Sequence, residues 1–291
     1  MKTEKKKKER KKIGLALGGG GAKGLAHIGV IKVLERAGIE IDYIAGTSMG
    51  AVVGGWYAAT KDVSFLERSF ERFKKKDVTS LTKLLRKKDG ALFKDHGAIE
   101  ALEDELGGKK IENCQIPFKA VAADVTNGNE IIMSKGNLVQ AIKASSALPI
   151  VFRPVTFGKK LLVDGGLVNP VPADVVKDMG ADFVIAVDVS SKWHDVSEES
   201  INPFHFYTVI GHALSIMEYQ LARHTLEKAD LIIKPVVLSF NWLGFEDAKD
   251  IIEAGEKEME KNLTELRERT GHDEPLKTPA QRFFDFIFDG E

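Results

Sequence analysis

Short apolar runs alternate with segments of helical periodicity along the first part of this chain. Ile13–Leu17 is an uninterrupted non-polar run, typical of a buried strand, and Ala22–Ala37 repeats apolar residues at helical spacing up to Gly38. Tyr43–Ala45 and Met49–Ala59 repeat this alternation with a second strand and a second helix. Parallel strands that are apolar on both faces need helices on both sides, so the pattern predicts an α/β fold.

The rest of the chain continues the alternation, with one charged interruption. Between Val63 and Leu106 the pattern becomes helical and strongly charged, which predicts two or three helices outside the sheet or over its top. Asn127–Gly128 is a strong hairpin signal between two strand-like segments. The other predicted strands and helices are Phe118–Val125, Glu130–Ser134, Lys160–Val163, Phe183–Val189 and Leu231–Val237, and Leu138–Ala147, Ala173–Met179, Phe204–Ala229 and Glu246–Arg269.

Basic residues are concentrated at the N-terminal end. Residues 1–12 contain eight basic and two acidic residues, although the whole chain of 291 residues has a net charge of only −1. We predict a disordered basic tail over 1–12 and one domain over 13–291. The tail is a candidate contact for anionic lipid. No nucleic-acid-binding module follows it, so we expect no nucleic-acid partner.

Neither a signal peptide nor a membrane-spanning run is expected. Ile13–Leu17 is too short for the apolar region of a signal peptide, and no run approaches the ~18 apolar residues of a spanning helix. We therefore expect a cytoplasmic protein with peripheral membrane contact through residues 1–12 and the aromatic cluster Phe283–Phe288. The single Cys114 excludes an intrachain disulfide, and no Cys/His cluster predicts a zinc site.

A glycine-rich loop follows the first predicted strand. Residues 19–24, GGGAKG, satisfy the G-x-G-x-x-G pattern between a strand and a helix, as a dinucleotide-binding loop does. The acidic residues that would hold a ribose, Glu40 and Asp42, precede the next apolar strand instead of following it, which weakens this interpretation. A Walker P-loop is excluded because Leu25 stands where lysine is required.

The second predicted strand ends in a sequence that favours nucleophilic catalysis. Residues 46–50, GTSMG, place Ser48 in a G-x-S-x-G pattern at a strand-to-helix junction, which is a nucleophile elbow. Only small residues fit beside the serine in so sharp a turn, hence Gly46 and Gly50. A serine nucleophile needs backbone N–H groups for the oxyanion, and we expect Gly20 and Gly21 to donate them.

The base that activates the serine has two kinds of candidate. Seven histidines are available, and none lies in a sharp turn directly after a predicted strand; they are His27, His96, His194, His205, His212, His224 and His272. The other candidate is Asp164, which ends an apolar strand and is followed by Gly165 and Gly166. An Asp-Gly pair is also an ordinary turn signal, so the residues alone leave both options open.

The motifs GGGGAKG, GTSMG and DGG, in this order, resemble those of the patatin-like phospholipase family. The stretch from Ile13 to about Ser190 is similar to the compact bacterial and archaeal members. ASSALP at Ala144–Pro149 and NPVP at Asn169–Pro172 match further segments of the family. The last hundred residues match much less distinctly.

The resemblance implies a three-layer α/β/α sandwich with a mainly parallel sheet and a Ser–Asp dyad without histidine. Carried over by position, Ser48 is the nucleophile and Asp164 the general base. The implied oxyanion hole is formed by Gly19, Gly20, Gly21 and the Met49 amide. The motif residues that support these groups are Lys23, Gly24, Gly46, Thr47, Gly50, Gly165 and Gly166. Lys23 is also a candidate contact for a lipid phosphate.

The implied activity is hydrolysis of lipid acyl esters, of the phospholipase A or lysophospholipase type, without a metal or other cofactor. We expect burial to raise the pKa of Asp164, opposed by neighbouring donors. Candidate acyl-groove residues are Ala51, Val52, Val53 and the stretch 148–152, and the charged helices before Leu106 are a candidate lid. Two alternatives remain: a soluble carboxylesterase or thioesterase, and a non-catalytic nucleotide-binding or regulatory module.

Overall fold

The computed structural model describes residues 10–71, 97–149, 152–190, 206–240, 242 and 244–272. The strands are β1 Ile13–Leu17, β2 Tyr43–Thr47, β3 Phe118–Asp124, β4 Glu130–Met133, β5 Val155–Phe157, β6 Lys160–Asp164, β7 Phe183–Val187 and β8 Leu231–Ile233. The helices are α1 Ala26–Arg36, α2 Met49–Thr60, α3 Ser64–Glu71, α4 Gly97–Leu106, α5 Leu138–Ser145, α6 Ala173–Asp178, α7 Phe206–Thr225 and α8 Ala248–Thr270.

The described strands form one mixed sheet, in which neighbours in the series β5-β6-β3-β2-β1-β7-β8 are hydrogen-bonded and β4 also pairs with β3. The central pairings from β3 through β2, β1 and β7 to β8 are parallel. The pairings of β3 with β4, β3 with β6 and β5 with β6 are antiparallel. The predicted α/β fold with a mainly parallel sheet is confirmed.

Helices cover both faces of the sheet. The larger core cluster includes Leu15 and Leu17 of β1 and is built from α1, α2 and α8. The smaller cluster includes Ala16 of β1 and is built from α6. Because successive residues of a strand point to opposite faces, the single strand β1 serves both clusters. The three-layer α/β/α architecture that the resemblance implied is therefore present.

Several boundaries differ from the sequence prediction. The predicted first helix begins as a 3-10 turn at Gly21–Leu25 and becomes α-helical at Ala26. Strand β8 ends at Ile233, four residues before the predicted end at Val237. The short strand β5 was not predicted at all. Of the charged helical segment before Leu106, the structure describes α3 and α4, and residues 72–96 lie outside the described part.

The end of the basic segment is attached to the fold. The Arg10 guanidinium donates to both carboxylate oxygens of Asp42, at 2.7 and 2.8 Å, and to Glu40 at 2.9 Å. The Lys12 backbone N–H donates to Asp182 at 2.9 Å. Residues 10–12 therefore differ from the expectation of a disordered tail, because carboxylates just before β2 and β7 bind them. Residues 1–9 and Phe283–Phe288 lie outside the described residues.

Candidate active site

The carboxyl ends of β2 and β6 meet on one edge of β3. Strand β4 occupies the other edge of β3, so β2 and β6 share the remaining edge. Thr47 pairs with Val121 and Asp164 pairs with Ala122, and these partners are consecutive residues of β3. Because β2 is parallel and β6 antiparallel to β3, the two strands end facing each other. This register brings Asp164 next to Ser48, the residue that follows β2.

The turn at Ser48 has the geometry of a nucleophile elbow. Ser48 has φ 54° and ψ −121°, a strained conformation for a residue with a side chain. An added Cβ at Gly46 would lie 2.3 Å from the carbonyl oxygen of Gly50, and one at Gly50 would lie 2.0 Å from that of Leu17. A larger side chain at either glycine would therefore collide with the backbone.

The side chains of Ser48 and Asp164 form a hydrogen-bonded pair. Ser48 Oγ donates to Asp164 Oδ2 at 2.7 Å, and the backbone N–H of Gly166 donates to Oδ1 at 2.8 Å. Asp164 is 1% exposed. Burial raises the pKa of Asp164 to about 6, against the lowering effect of its two hydrogen bonds. The carboxylate is therefore mostly ionised at neutral pH and is oriented to accept the serine proton.

Two further serines hold the elbow, and no catalytic motif indicated them. The backbone N–H of Ser48 donates to Ser145 Oγ at 3.0 Å, and Ser145 Oγ donates to the carbonyl oxygen of Val121 at 2.6 Å. Ser146 Oγ donates to the carbonyl oxygen of Ser48 at 3.2 Å. Both serines belong to the ASSALP segment at 144–149, which was the signal for them.

The glycine loop runs beside Ser48. A Cβ at Gly19 would lie 3.4 Å from the Cβ of Ser48. The N–H of Gly19 donates to the carbonyl oxygen of Pro170 at 2.9 Å, so it is already bound, and the expectation that Gly19 supplies an oxyanion donor does not hold in this structure. Within the described residues the N–H groups of Gly20 and Gly21 have no acceptor. Met49, the first residue of α2, adds a helix N-terminal N–H at the elbow.

Trp242 closes the other side of the loop. Its carbonyl oxygen accepts the N–H of Ala22 at 2.7 Å and would lie 2.3 Å from a Cβ at Gly21. Gly21 has φ 58° and Gly20 has φ 153°, so both positions favour glycine. No motif indicated Trp242, because the contact is made by a backbone atom far along the chain.

These contacts oppose the nucleotide-binding alternative. A phosphate needs several free N–H groups at the loop, and those of Gly19 and Ala22 are bound to protein carbonyl groups. Asp42, the candidate ribose ligand, accepts the N–H of Ile13 at 2.7 Å and binds Arg10. It therefore lies at the amino end of β1, whereas the glycine loop follows the carboxyl end.

None of the histidine side chains that the structure describes is bonded to Ser48. His27 is fully buried. Its Nε2 lies 2.8 Å from the carbonyl oxygen of Gly18, the residue that precedes the glycine loop. Burial lowers the pKa of His27 to about 4, so the ring is neutral at pH 7. His224 is exposed on α7, and His272 bonds Thr270 near the end of α8. The side chains of the other four histidines lie outside the described residues.

The remaining predicted site residues surround the dyad. Thr47 Oγ1 donates to the carbonyl oxygen of Asn169 at 2.8 Å. A Cβ at Gly24 would lie 2.6 Å from that of Met49, and one at Gly165 would lie 2.3 Å from the carbonyl oxygen of Val121. Partial burial lowers the pKa of Lys23, and the charge of Glu218 opposes this change.

Across the described ranges, no group of three or more His, Cys, Asp or Glu side chains is placed to hold a metal ion.

The acyl-groove candidates lie mostly in the core. Ala51 and Val53 are fully buried in the larger core cluster, which corrects their assignment to a groove, and Val52 is partly buried. A cavity of about 580 Å³ lies between Val236, Phe240 and α8. Neither the dyad nor the glycine loop lines it, so we do not place the acyl chain there.

Known proteins resemble this chain in sequence and fold. Residues 15–177 match the family described as Patatin-like phospholipase. An uncharacterized NTE family protein of Mycobacterium tuberculosis is 39% identical over 62% of this chain and 49% of its own length. Lysophospholipase NTE1 of Yarrowia lipolytica is 32% identical over 88% of this chain and 20% of its own length. VipD from Legionella pneumophila has a similar fold, with a TM-score of 0.50 and 14% identity over 88% of this chain and 67% of that chain.

The fold and the site combine an α/β sheet with a strand-end serine, a buried aspartate and a glycine loop. Since the family match spans more than half of the residues, the chain belongs to the patatin-like phospholipase family. The chain spans about half, or less, of the length of the curated relatives described above. No helix within the described segments has both the length and the apolar character needed to cross a membrane.

Proposed function

We propose that this chain hydrolyses acyl esters of lipids, with Ser48 as nucleophile and Asp164 as general base. The observation that carries the proposal is the 2.7 Å hydrogen bond from Ser48 Oγ to Asp164 Oδ2 at a strained elbow. The serine hydroxyl is the donor in this bond, so its proton already points to the base. Family membership supports the reaction class.

In the first step Ser48 Oγ attacks the ester carbonyl carbon while its proton passes to Asp164 Oδ2. The carbonyl oxygen gains the negative charge, and we expect the N–H groups of Gly20, Gly21 and Met49 to stabilise it. The tetrahedral intermediate then collapses, the bond to the alcohol breaks, and Asp164 returns its proton to the departing alkoxide. An acyl-enzyme on Ser48 and a free alcohol result.

In the second step water replaces the alcohol. Asp164 takes a proton from the water as its oxygen attacks the acyl carbonyl carbon. The new tetrahedral intermediate breaks its bond to Ser48 Oγ, and Asp164 protonates the serine again. A fatty acid leaves, and the site returns to its starting state without any external cofactor.

The environment of Asp164 suits it to this role better than an exposed aspartate. An exposed aspartate has a pKa of about 3.9 and is a weak base for a serine hydroxyl. Burial raises the pKa of Asp164 to about 6, which strengthens the base while leaving it ionised at pH 7. We therefore expect kcat/KM to fall as the pH drops below about 6, because a protonated Asp164 cannot accept the serine proton.

Lipid is the substrate class that the surroundings of the site favour. Helix α7 packs on the turn that follows Asp164 and exposes three large aliphatic side chains to solvent. Val209, Ile216 and Met217 are 42%, 44% and 49% exposed. A relative named lysophospholipase supports the same class. We propose that the protein meets its substrate at a membrane surface, helped by the basic residues 1–9 and by Phe283–Phe288.

The experiment that tests this function compares three ester classes at equal concentration. Lysophosphatidylcholine micelles, a soluble short-chain p-nitrophenyl ester and a soluble acyl thioester are incubated with wild type and Ser48→Ala. We expect the highest kcat/KM for the micellar lipid and no turnover above background for Ser48→Ala. A preference for the short soluble ester or thioester would instead support the esterase alternative. Absence of turnover on all three would contradict the hydrolase proposal.

A further inference from the structure

The carboxylate of Glu218, on α7, lies against Gly166, in the turn that follows Asp164. A Cβ added at Gly166 would lie 2.6 Å from Glu218 Oε1 and 3.2 Å from Asp164 Oδ1. The two carboxylate oxygens are therefore within about 6 Å of each other, a distance at which one charge changes the protonation of the other. The acyl-transfer steps described above do not use Glu218, and no sequence motif contains it.

Two charged groups of other elements face Glu218 within the described part of the chain. Asp164 approaches from the end of β6, and Lys23 approaches from the 3-10 turn after the glycine loop. The 3-10 turn at 226–228, which packs on the end of α7, is more than about 10 Å farther along the axis. The neighbours of Glu218 one turn away on α7 do not titrate; they are Leu214, Ser215, Leu221 and Ala222.

The surroundings of the two carboxyl groups give Asp164 and Glu218 different pKa values. Burial and the negative charge of Asp164 raise the pKa of Glu218 to about 8, and Lys23 partly opposes the change. The pKa of Asp164 is raised only to about 6, since two hydrogen bonds favour its ionised form. Asp164 is thus the group that ionises first, and Glu218 keeps its proton at neutral pH.

We propose that Glu218 is a positioning residue for the dyad. When the carboxyl group of Glu218 is ionised, its negative charge makes Asp164 a stronger base. This inference rests on the proposed hydrolase function. During attack on the ester, Asp164 becomes neutral and the negative charge moves to the substrate oxygen. A second carboxylate beside Asp164 disfavours the ionised aspartate, so it favours this transfer of the proton. We expect a three- to tenfold rise in kcat/KM, roughly, above pH 8.

The test is the pH dependence of kcat/KM from pH 5 to 10 on the short-chain p-nitrophenyl ester, with spontaneous hydrolysis subtracted. Wild type is expected to show two rises, one near pH 6 from Asp164 and one near pH 8 from Glu218. Glu218→Gln should lose the second rise and keep the first. Glu227→Gln, an exposed residue beyond α7, is the matched control and should keep both. A purely structural role of Glu218 would lower the whole profile and leave its shape unchanged.

A second variant perturbs Glu218 without removing it. In Gly166→Ala the new Cβ occupies the space of Glu218 Oε1, the mobile end of a flexible side chain, so the carboxylate has to move away. We expect the second rise to shrink in this variant as well. Profiles of wild type and Glu218→Gln that superimpose in shape would overturn the role of Glu218 alone. Absence of turnover in wild type at every pH would overturn the hydrolase function with it.

Discussion

The described residues from 13 to 190 and from 206 to 272 contribute to the candidate site in different ways. The first region supplies the two groups that we propose to react, Ser48 and Asp164, and the glycine loop, each in a short motif. The second region supplies Glu218 and the carbonyl oxygen of Trp242, which contact the first region from outside. Chemistry that depends on a backbone turn leaves a local sequence pattern, whereas support from a distant segment leaves none.

The two regions also act on the site by different physical means, close backbone contact in the first and charge in the second. In the first region the geometry is fixed by close backbone contacts, such as the 2.0 Å approach that a Cβ at Gly50 would make to Leu17. In the second region Glu218 acts through charge, which tolerates small movements. Substitutions that break these backbone contacts in the first region, or that remove Ser48 or Asp164, should therefore abolish activity, and substitutions in the second region should tune it.

The largest expected effect follows the loss of the base. Asp164→Asn keeps the shape of the side chain but cannot take the serine proton, so we expect kcat/KM to fall by about 10²–10⁴-fold at pH 7. Steady-state hydrolysis of the micellar lipid measures this loss. Circular dichroism of the variant is the control for folding. Retention of more than about a tenth of the activity would mean that another group serves as base.

A substitution at the elbow should act through geometry. Gly50→Ala places a Cβ 2.0 Å from a backbone oxygen, so α2 and β1 must separate and Ser48 must move. Displacing a reacting group by about 1 Å can cost roughly 100-fold in rate. The matched control is Gly19→Ala, whose Cβ would make an ordinary 3.4 Å contact with Ser48. Comparable activities of the two variants would contradict the close packing at the elbow.

Burial of the ionised Asp164 carboxylate should also lower the free energy of unfolding at neutral pH. The pKa of Asp164 is raised in the folded protein, so the folded state binds this proton more tightly than the unfolded state. The contribution of Asp164 to stability therefore falls as pH rises from about 4 to about 6. We expect Asp164→Asn to be about 1–3 kcal/mol more stable than wild type at pH 7, without this gain at pH 4.

Urea unfolding at the two pH values measures this difference. Asn retains an oxygen that accepts the N–H of Gly166, so the turn itself should persist. Equal stability differences at pH 4 and pH 7 would show that the pKa of Asp164 is not raised in the folded protein.

The smallest effect is expected in the second region. Trp242→Ala keeps the carbonyl oxygen that binds Ala22, and removes only the indole packed near Gly21. We expect the unfolding free energy to fall by about 1–2 kcal/mol for a partly exposed aromatic side chain. The kcat/KM for the micellar lipid should change far less than in Gly50→Ala. A loss of activity as large as that of Gly50→Ala would remove the distinction between the two regions.

The sequence predicted the parts of the molecule that obey local rules. Apolar runs located β1, β2 and β7, and glycine spacing located the elbow at Ser48, since both depend on neighbouring residues. It did not predict that Gly19 is bound to Pro170, because that bond joins segments about 150 residues apart. The role of Ser145 and the approach of Glu218 to Gly166 depend equally on tertiary packing.

Labelling of the serine tests the central claim, that Asp164 activates Ser48, most directly. Wild type, Ser48→Ala and Asp164→Asn are incubated with a fluorophosphonate, and adduct formation is followed by intact mass. We predict one adduct on wild type, none on Ser48→Ala, and a rate for Asp164→Asn slower by at least about 100-fold. Labelling of Asp164→Asn at the wild-type rate, or of Ser48→Ala at all, would contradict the account.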